Sequence, residues 1–380
     1  MKIAVDLLSL GYGGSETYPC EVLPRLAASE HDFSVLLVRN RGKELRVRLP
    51  SQVRQVDLPE RFANPFFRHH YQKKVLPGWL RDNDIDVLFV PGGMTGTRRR
   101  PTDRFAMVVM LRNMLPFDPR QRSSYPLVRY PYMRFRLWLL SRSLRKTFQS
   151  ADRVIYISRY SMEKVSPLAG AADAVLIPHG LSAAFRDGAP AGTRTLVRHG
   201  IRPPYLLYVS ILDPYKHQLA VIEGFRRYLE SGRAPSGLQL VLVGPIQGAY
   251  GRKVQREAER LGGTVLCTGA IARAELPELL RGAEALLFAS TCETCPFILL
   301  EYLGAGRPIV SSQTPPMPEI GGDAVYYVDA EQPQAWCQAL NEVLGNPQFR
   351  HELSAKAHSR ASLYSWDETS HRTLAALTQW

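Results

Sequence analysis

Short apolar runs separated by longer amphipathic stretches recur along this chain, and that alternation constrains its fold more than any other feature. In the first half, residues 34–38, 87–90, 106–110 and 154–157 read as buried strands; in the second, 205–209, 238–243, 264–267, 285–289 and 308–311 do. Apolar runs of this length suit strands covered on both faces, and the helical stretches between them suit the crossovers of parallel sheets. A chain of 380 residues exceeds what one hydrophobic core supports, so two α/β domains are expected. Residues 181–204 carry Gly, Pro, Ala and Arg with little apolar periodicity and read as the linker. The expected division is 1–185, 200–360 and a final helical segment, 361–380. The tail from 355 onward has a helical pattern broken around Ser365 and Trp366.

Composition excludes several classes. With 45% hydrophobic and 22% charged residues the chain can bury two cores and is not a disordered sequence. Its apolar runs, such as 285–289 and 297–300, fall far short of the roughly 20 residues that span a bilayer. The sequence opens directly on a strand pattern at Ile3, with no signal-peptide pattern, and five scattered cysteines suit reduced thiols, so a cytoplasmic protein is expected. Cys292 and Cys295 form a Cys-x-x-Cys pair, but zinc needs two more ligands and no second pair exists, so no metal is expected.

The stretch ETCPFILLE, residues 293–301, is the most informative chemically. It places Glu293 and Glu301 eight positions apart around a proline-started apolar run that follows the strand 285–289. Pro296 suits the first position of a helix, where its missing N–H costs nothing, and Phe297 and Ile298 begin the buried side. A helix N-terminus offers free N–H groups and partial positive charge, a seat for phosphate. From that seat both carboxylates can reach polyhydroxylated parts of a ligand. The plainer alternative makes Glu301 a solvated helix residue and Glu293 a dipole partner of the first turn.

Other candidates also sit at strand ends, where open parallel sheets bind ligands. Gly13 and Gly14 follow the first strand and precede a helix, which lets backbone approach an acceptor or phosphate; an ordinary strand-to-helix turn is the alternative. A dinucleotide fingerprint starting at Gly11 fails, because its third glycine falls at Glu16. Lys216 follows the strand ending near Ser210, and taken alone it reads as a solvated loop lysine. The Asp-x-Asp spacing within 82–86 directly precedes the strand 87–90 and reads as a polar helix-to-strand turn.

These pieces, in order, resemble the retaining nucleotide-sugar glycosyltransferases of family 4. The resemblance rests on the Glu-x7-Glu stretch and on KIAVD at 2–6, GGSE at 13–16, SADRVIYIS at 150–158, VLIPHG at 175–180, YLLYVS at 205–210 with DPYK at 213–216, and GAGRPIV at 304–310 with PEI at 318–320. It runs over about 320 residues and implies the GT-B fold: two Rossmann-like domains facing across a cleft, with the last helix crossing back to the first domain. It also implies hexose transfer from a nucleotide sugar, with retention and without a metal or other cofactor. GDP-mannose is slightly favoured over UDP-linked hexoses, with a saccharide or lipid-linked acceptor in surface polysaccharide or glycolipid synthesis.

By that resemblance, Lys216 is the cation on the donor diphosphate, Glu293 holds hexose hydroxyls and Glu301 holds ribose hydroxyls. Ser210, Gly244, Cys295, Pro296, Phe297 and Ile298 complete the donor side; Gly13, Gly14, Asn113 and His179 serve the acceptor or phosphate side. Two positions depart from the pattern. Ile211 stands where relatives often carry a second cation, and Arg112 stands where many carry a histidine. An arginine is no base at neutral pH, yet it can hold phosphate or acceptor oxygens bidentately. These departures motivate an alternative, a catalytically silent GT-B binding or assembly subunit.

Net charge is +13 and unevenly spread. Between residues 98 and 146 there are thirteen Lys and Arg against Asp103 and Asp118, with Tyr125, Tyr130, Tyr132, Phe135, Trp138 and Leu139 interleaved. Such a mixture suits the boundary of an anionic membrane, so peripheral association with the inner face of the plasma membrane is an expectation. A solvated basic helix face is the plainer alternative. Nucleic acid would be drawn by the same field, but no recognised nucleic-acid module is present and none is expected as a partner.

Overall fold

The computed structural model describes residues 1–9, 14–38, 49–100, 102–123, 131–189 and 192–380. The chain divides into two compact units, one of Met1–Gly180 with Ser365–Trp380 and one of Leu181–Tyr364. The second unit begins at Leu181, the first residue of the segment expected as a linker. Part of the expected linker is regular structure within the second unit: a 3-10 turn at Ala183–Phe185 and a short helix at Thr193–Arg198. Glu275 holds that helix end, accepting from Arg198 and lying 3.2 Å from Nε2 of His199.

The first unit is built on seven strands: β1 (Lys2–Asp6), β2 (Asp32–Val38), β3 (Arg54–Leu58), β4 (Val87–Val90), β5 (Ala106–Leu111), β6 (Arg153–Tyr156) and β7 (Asp173–Leu176). All pair in parallel, in the order β3-β2-β1-β4-β5-β6-β7. The central strands are fully buried, with Ile3, Val5, Val87, Phe89, Val108 and Ile155 all 0% exposed, as a sheet covered on both faces demands. The helix-to-strand turn at 82–86 is a polar junction. Asp84 is left-handed (φ 49°), and Asp86 accepts from the Lys2 backbone N–H at 2.8 Å, which ties β4 to the start of β1.

The C-terminal helix Trp366–Thr378 belongs to this first unit. Ser365 caps it, accepting from the N–H groups of Asp367 and Glu368 at 3.2 and 3.5 Å. Its buried face meets the helix Gly14–Leu26, where the Tyr18 hydroxyl lies 3.0 Å from Thr373 Oγ1. A Cβ at Gly180 would stand 2.3 Å from the Trp366 backbone nitrogen, so glycine permits the chain to pass there.

The second unit has six parallel strands: β8 (Tyr205–Val209), β9 (Gln239–Val243), β10 (Val265–Gly269), β11 (Ala285–Phe288), β12 (Ile309–Ser312) and β13 (Tyr326–Val328), ordered β10-β9-β8-β11-β12-β13. Each sheet thus reverses its strand order once, at β1/β4 in the first unit and at β8/β11 in the second. Ligands bind outside the carboxyl ends of the strands at such a reversal. In the second unit those ends are the segments following Val209 and Phe288.

Candidate active site

The loop after β8 and the loop after β11 are joined backbone to backbone: the Thr291 N–H donates to the Tyr215 carbonyl at 2.9 Å. His217, in the left-handed region at φ 48°, places Nε2 2.9 Å from Thr291 Oγ1. Lys216 ends a 3-10 turn, Pro214–Lys216, and its carbonyl accepts from the buried Tyr208 hydroxyl at 2.6 Å. This frame aims the Lys216 ammonium at the Glu293 carboxylate, which also accepts from Ser290 Oγ at 2.7 Å. The lysine is only 8% exposed, and its Nζ lies 5.0 and 5.3 Å from the ring centres of Tyr215 and Phe288. Lys216 is therefore a fixed, largely desolvated cation rather than a waving surface lysine, and it meets Glu293 as a pair.

Glu301 lies inside the helix Phe297–Ala305 and is 2% exposed. Burial pushes its carboxyl up to about 7, an effect that Arg273 beside it partly offsets. Arg273 bonds Oε1, while Oε2 is buried with no hydrogen-bond partner. A buried acceptor left unmatched is costly, and it marks a place where ligand hydroxyls can donate. Pro296 is the N-cap of this helix (φ −71°, ψ 113°) rather than its first helical residue. It has no side-chain acceptor to offer the first-turn N–H groups. Phe297 and Ile298 are half-buried; Cys295 and Pro296 are buried.

The neighbouring strand ends close around this centre. Ser210 donates its N–H to Val243 and accepts from Gln218 Nε2 at 2.8 Å; that amide also donates to the Ile211 carbonyl at 2.9 Å. Gly244 sits at φ 150°, and a Cβ there would lie 1.9 Å from the Ser210 carbonyl oxygen. Glycine is required at 244 for the two strand ends to touch. Lys216, Glu293, Ser210, Gly244, Cys295, Pro296, Phe297, Ile298 and Glu301 thus all come from the strand ends and helix start around β8/β11.

The remaining candidates belong to the first unit. Gly13 lies outside the described residues, and Gly14 opens the helix Gly14–Leu26. Arg112 follows β5, with its guanidinium 5.7 Å from the Tyr18 ring centre. His179 is 2% exposed, with ring centres of Tyr18 and Trp366 at 5.4 and 5.8 Å. Burial, then the charge of Arg112, drives its pKa well below the usual value, so the imidazole is neutral at pH 7. Asn113 is exposed and turns inward on its own loop, where Oδ1 accepts from the Leu115 N–H at 3.0 Å.

Sequence reasoning missed Arg273, Ser290, His217 and Gln218. Arg273 is 28 positions from the carboxylate it holds and sits in a 3-10 turn after β10, so no local pattern signals it. Ser290 and His217 flank the recognised residues, and their adjacency was the available signal. Among the described residues no group of three or more His, Cys, Asp or Glu is arranged to hold a metal ion.

Two family models match the chain: Glycosyltransferase Family 4 over residues 12–185 and Glycosyl transferases group 1 over residues 197–360. Among curated proteins, a D-inositol 3-phosphate glycosyltransferase of Kineococcus radiotolerans is 24% identical over 250 residues, 60% of this chain and 58% of that protein. O-antigen chain mannosyltransferase B of Escherichia coli is 24% identical over 174 residues, 45% of each. The chain spans about half the length of the curated relatives it matches. Among solved structures, Anabaena HepE in complex with UDP and glucose aligns over 100% of both chains, with a TM-score of 0.73 at 16% identity. Both halves match in order and the likeness in fold runs end to end: the chain belongs to the group 1, family 4 glycosyltransferases and has their GT-B fold.

Proposed function

We propose that the protein is a retaining glycosyltransferase that moves a hexose from a nucleotide sugar to a saccharide or lipid-linked acceptor without a metal ion. One observation carries this reading. The desolvated Lys216–Glu293 pair and the Arg273–Glu301 pair, with its unmatched buried oxygen, flank one helix N-terminus at the β8/β11 reversal. The donor diphosphate would lie against the amides at 297–298 and Lys216, whose charge offsets that of the departing nucleoside diphosphate. Ribose hydroxyls would donate to Glu301 Oε2, and hexose hydroxyls would meet Glu293.

In the chemical step the anomeric carbon–phosphate oxygen bond breaks while the acceptor oxygen bonds to the same face of that carbon. The acceptor proton passes to the leaving phosphate oxygen. Neither glutamate acts as nucleophile: Glu293 is paired with Lys216, and Glu301 is wrapped by its own helix. Arg112, His179, Asn113 and the Gly13–Gly14 segment are assigned to the acceptor side, with His179 neutral and therefore a hydrogen-bonding rather than a charged group.

The relatives' names include a mannosyltransferase and an inositol phosphate glycosyltransferase, and HepE carries UDP, so GDP-mannose and UDP-hexoses are the donors to test first. A thermal-shift panel of nucleoside diphosphates should stabilise the fold with one base preferred. Turnover of the matching sugar nucleotide should follow, and both Glu293→Gln and Lys216→Ala should reduce it. Turnover within a few-fold of wild type in both variants would refute the site. Nucleotide binding without turnover would favour the silent binding subunit that Ile211 and Arg112 suggest. Surface polysaccharide or glycolipid synthesis at the inner face of a membrane is the setting this reading expects. Among the described residues no helix is long and apolar enough to cross a membrane.

A further inference from the structure

The helix Pro131–Gln149 of the first unit has two opposed faces. Leu137, Ser141, Leu144 and Phe148 recur at helical spacing and are buried. On the other side Tyr132, Phe135, Trp138 and Leu139 are 77, 58, 54 and 45% exposed, and Arg142, Arg145 and Lys146 continue that face toward the C-terminus. Large apolar side chains facing water in a continuous stripe mark a contact surface. The helix Pro65–Lys74 lies alongside and exposes Phe66 and Phe67. Between the two helices runs a groove of about 340 Å³ lined by His69, Lys73, Arg98, Leu139, Arg142 and Lys146.

Among the described residues no carboxylate lines this groove. Asp103 and Asp152, close in sequence to Arg98 and Lys146, pair instead with Arg81 at 3.6 Å and Arg99 at 3.1 Å. The convergence of charge registers on His69, whose pKa is lowered first by burial and then by Arg98, Lys73, His70 and Lys146. Like charges gathered in one groove repel one another, and an anionic ligand relieves that repulsion.

The groove is preformed rather than collapsible. Gln72, on the helix beside it, donates to the buried Asp6 carboxylate at 2.8 Å and accepts from the Gly96 N–H at 2.9 Å. Thr97 Oγ1 donates to the Gln72 carbonyl at 2.8 Å, and Arg98 is fixed by the carbonyls of Thr95 and Thr97 at 2.8 and 2.7 Å. A Cβ at Gly96 would stand 2.6 Å from the His69 carbonyl oxygen, so helix and loop are in direct contact.

We propose that this face docks the protein on a bilayer of anionic phospholipid, with a lipid phosphate seated in the His69–Lys73–Arg98–Arg142–Lys146 groove and Phe135, Trp138 and Leu139 inserted beside it. The order of side chains matches such a surface. Aromatic rings favour the headgroup level, and Phe135 and Trp138 share an exposed helix face with Arg142, Arg145 and Lys146, so one face offers both rings and cations to an anionic interface. Exposed Leu139 gives an acyl chain a partner that a nucleic acid does not need. Phe135 and Trp138 stack on each other, 6.0 Å apart at 22°, rather than standing ready to receive bases. The proposal is independent of the donor-site reading, because it is read by binding and not by turnover.

The test is co-sedimentation of the full chain with vesicles of phosphatidylglycerol mixed into phosphatidylcholine, against phosphatidylcholine alone. Binding to the anionic vesicles only is expected. Arg142→Glu with Lys146→Glu should weaken it at least about tenfold. Phe135→Ser with Trp138→Ser should weaken it too, while melting temperature and turnover of a soluble substrate stay as in wild type. Equal binding to neutral vesicles, or anionic binding unchanged in both double variants, overturns the proposal. So does displacement by millimolar inorganic phosphate, which would assign the groove to a soluble phosphate ligand. Preferential capture of single-stranded RNA, abolished by the same charge reversals, overturns it in favour of nucleic acid.

Discussion

The two units use one sheet topology for different ends, and the contrast is sharpest at their strand reversals. At β8/β11 the charged groups are paired side chains at strand ends, Lys216 with Glu293 and Arg273 with Glu301. At β1/β4 the strand-end carboxylate, Asp6, is sealed at 0% exposure and held by Gln72, Thr95 and the Leu8 N–H. Burial raises its pKa, against the pull of those bonds and of Arg68. The first unit locks its strand-end carboxylate into the frame with neutral partners, whereas the second pairs its strand-end carboxylates with cations. Topology places a site, and the choice of residues at the strand ends decides whether it becomes one.

The largest effect that separates the two is catalytic. Lys216→Ala should lower transfer roughly 10²–10³-fold, the usual scale for removing one preorganised transition-state contact, with little change in the first unit's stability. Measured kcat within threefold of wild type would remove the second unit's reversal from the chemistry. A backbone effect comes next. Gly244→Ala puts a methyl 1.9 Å from the Ser210 carbonyl at φ 150°, and should cost about 2–4 kcal/mol, or roughly 5–10 °C in melting temperature. Gly180→Ala, against Trp366, is the matched change in the first unit. The comparison predicts that both destabilise, but that only Gly244→Ala weakens nucleotide binding.

A third prediction concerns pH. Glu301 keeps its proton in the folded protein up to about 7 but releases it near 4.5 when unfolded. Between those values the folded state binds more protons, so this residue's contribution to stability falls as pH rises. Glu301→Gln removes that slope. The variant's stability relative to wild type, followed by its melting temperature, should climb from pH 4.5 to pH 8 by at most about 3 kcal/mol. Parallel melting curves across that range would show that Arg273 keeps the carboxylate ionised throughout. The smallest effect belongs to the first unit: Tyr18→Phe removes one bond to Thr373 and should cost only about 1 kcal/mol, measured by denaturant unfolding.

The sequence made the central strands legible because they are buried on both faces and read as continuous apolar runs. It hid β3 (RQVDL) and β13 (YYV), both edge strands with polar or half-exposed faces that leave no such run. The Glu293–Glu301 stretch announced itself through its proline and spacing, yet the role of Pro296 shifted by one position, from first helical residue to N-cap, because its ψ of 113° is extended. Arg273 was invisible for a different reason. Its partner is set by β10 lying two strands from β8 in the sheet, which is information about topology rather than about neighbours in sequence. Tyr208 and Tyr302 read as ordinary strand and helix residues, and only the fold shows their hydroxyls bonding the Lys216 carbonyl and the Val209 N–H.

The most direct test of the account is a crystal structure with a bound nucleoside diphosphate sugar of the base preferred in the thermal-shift panel. Diphosphate density is expected against the amides at 297–298 and Lys216, with ribose hydroxyls within hydrogen-bond distance of Glu301 Oε2. Density for the nucleotide away from the β8/β11 strand ends, with Glu301 Oε2 still unmatched, would contradict it.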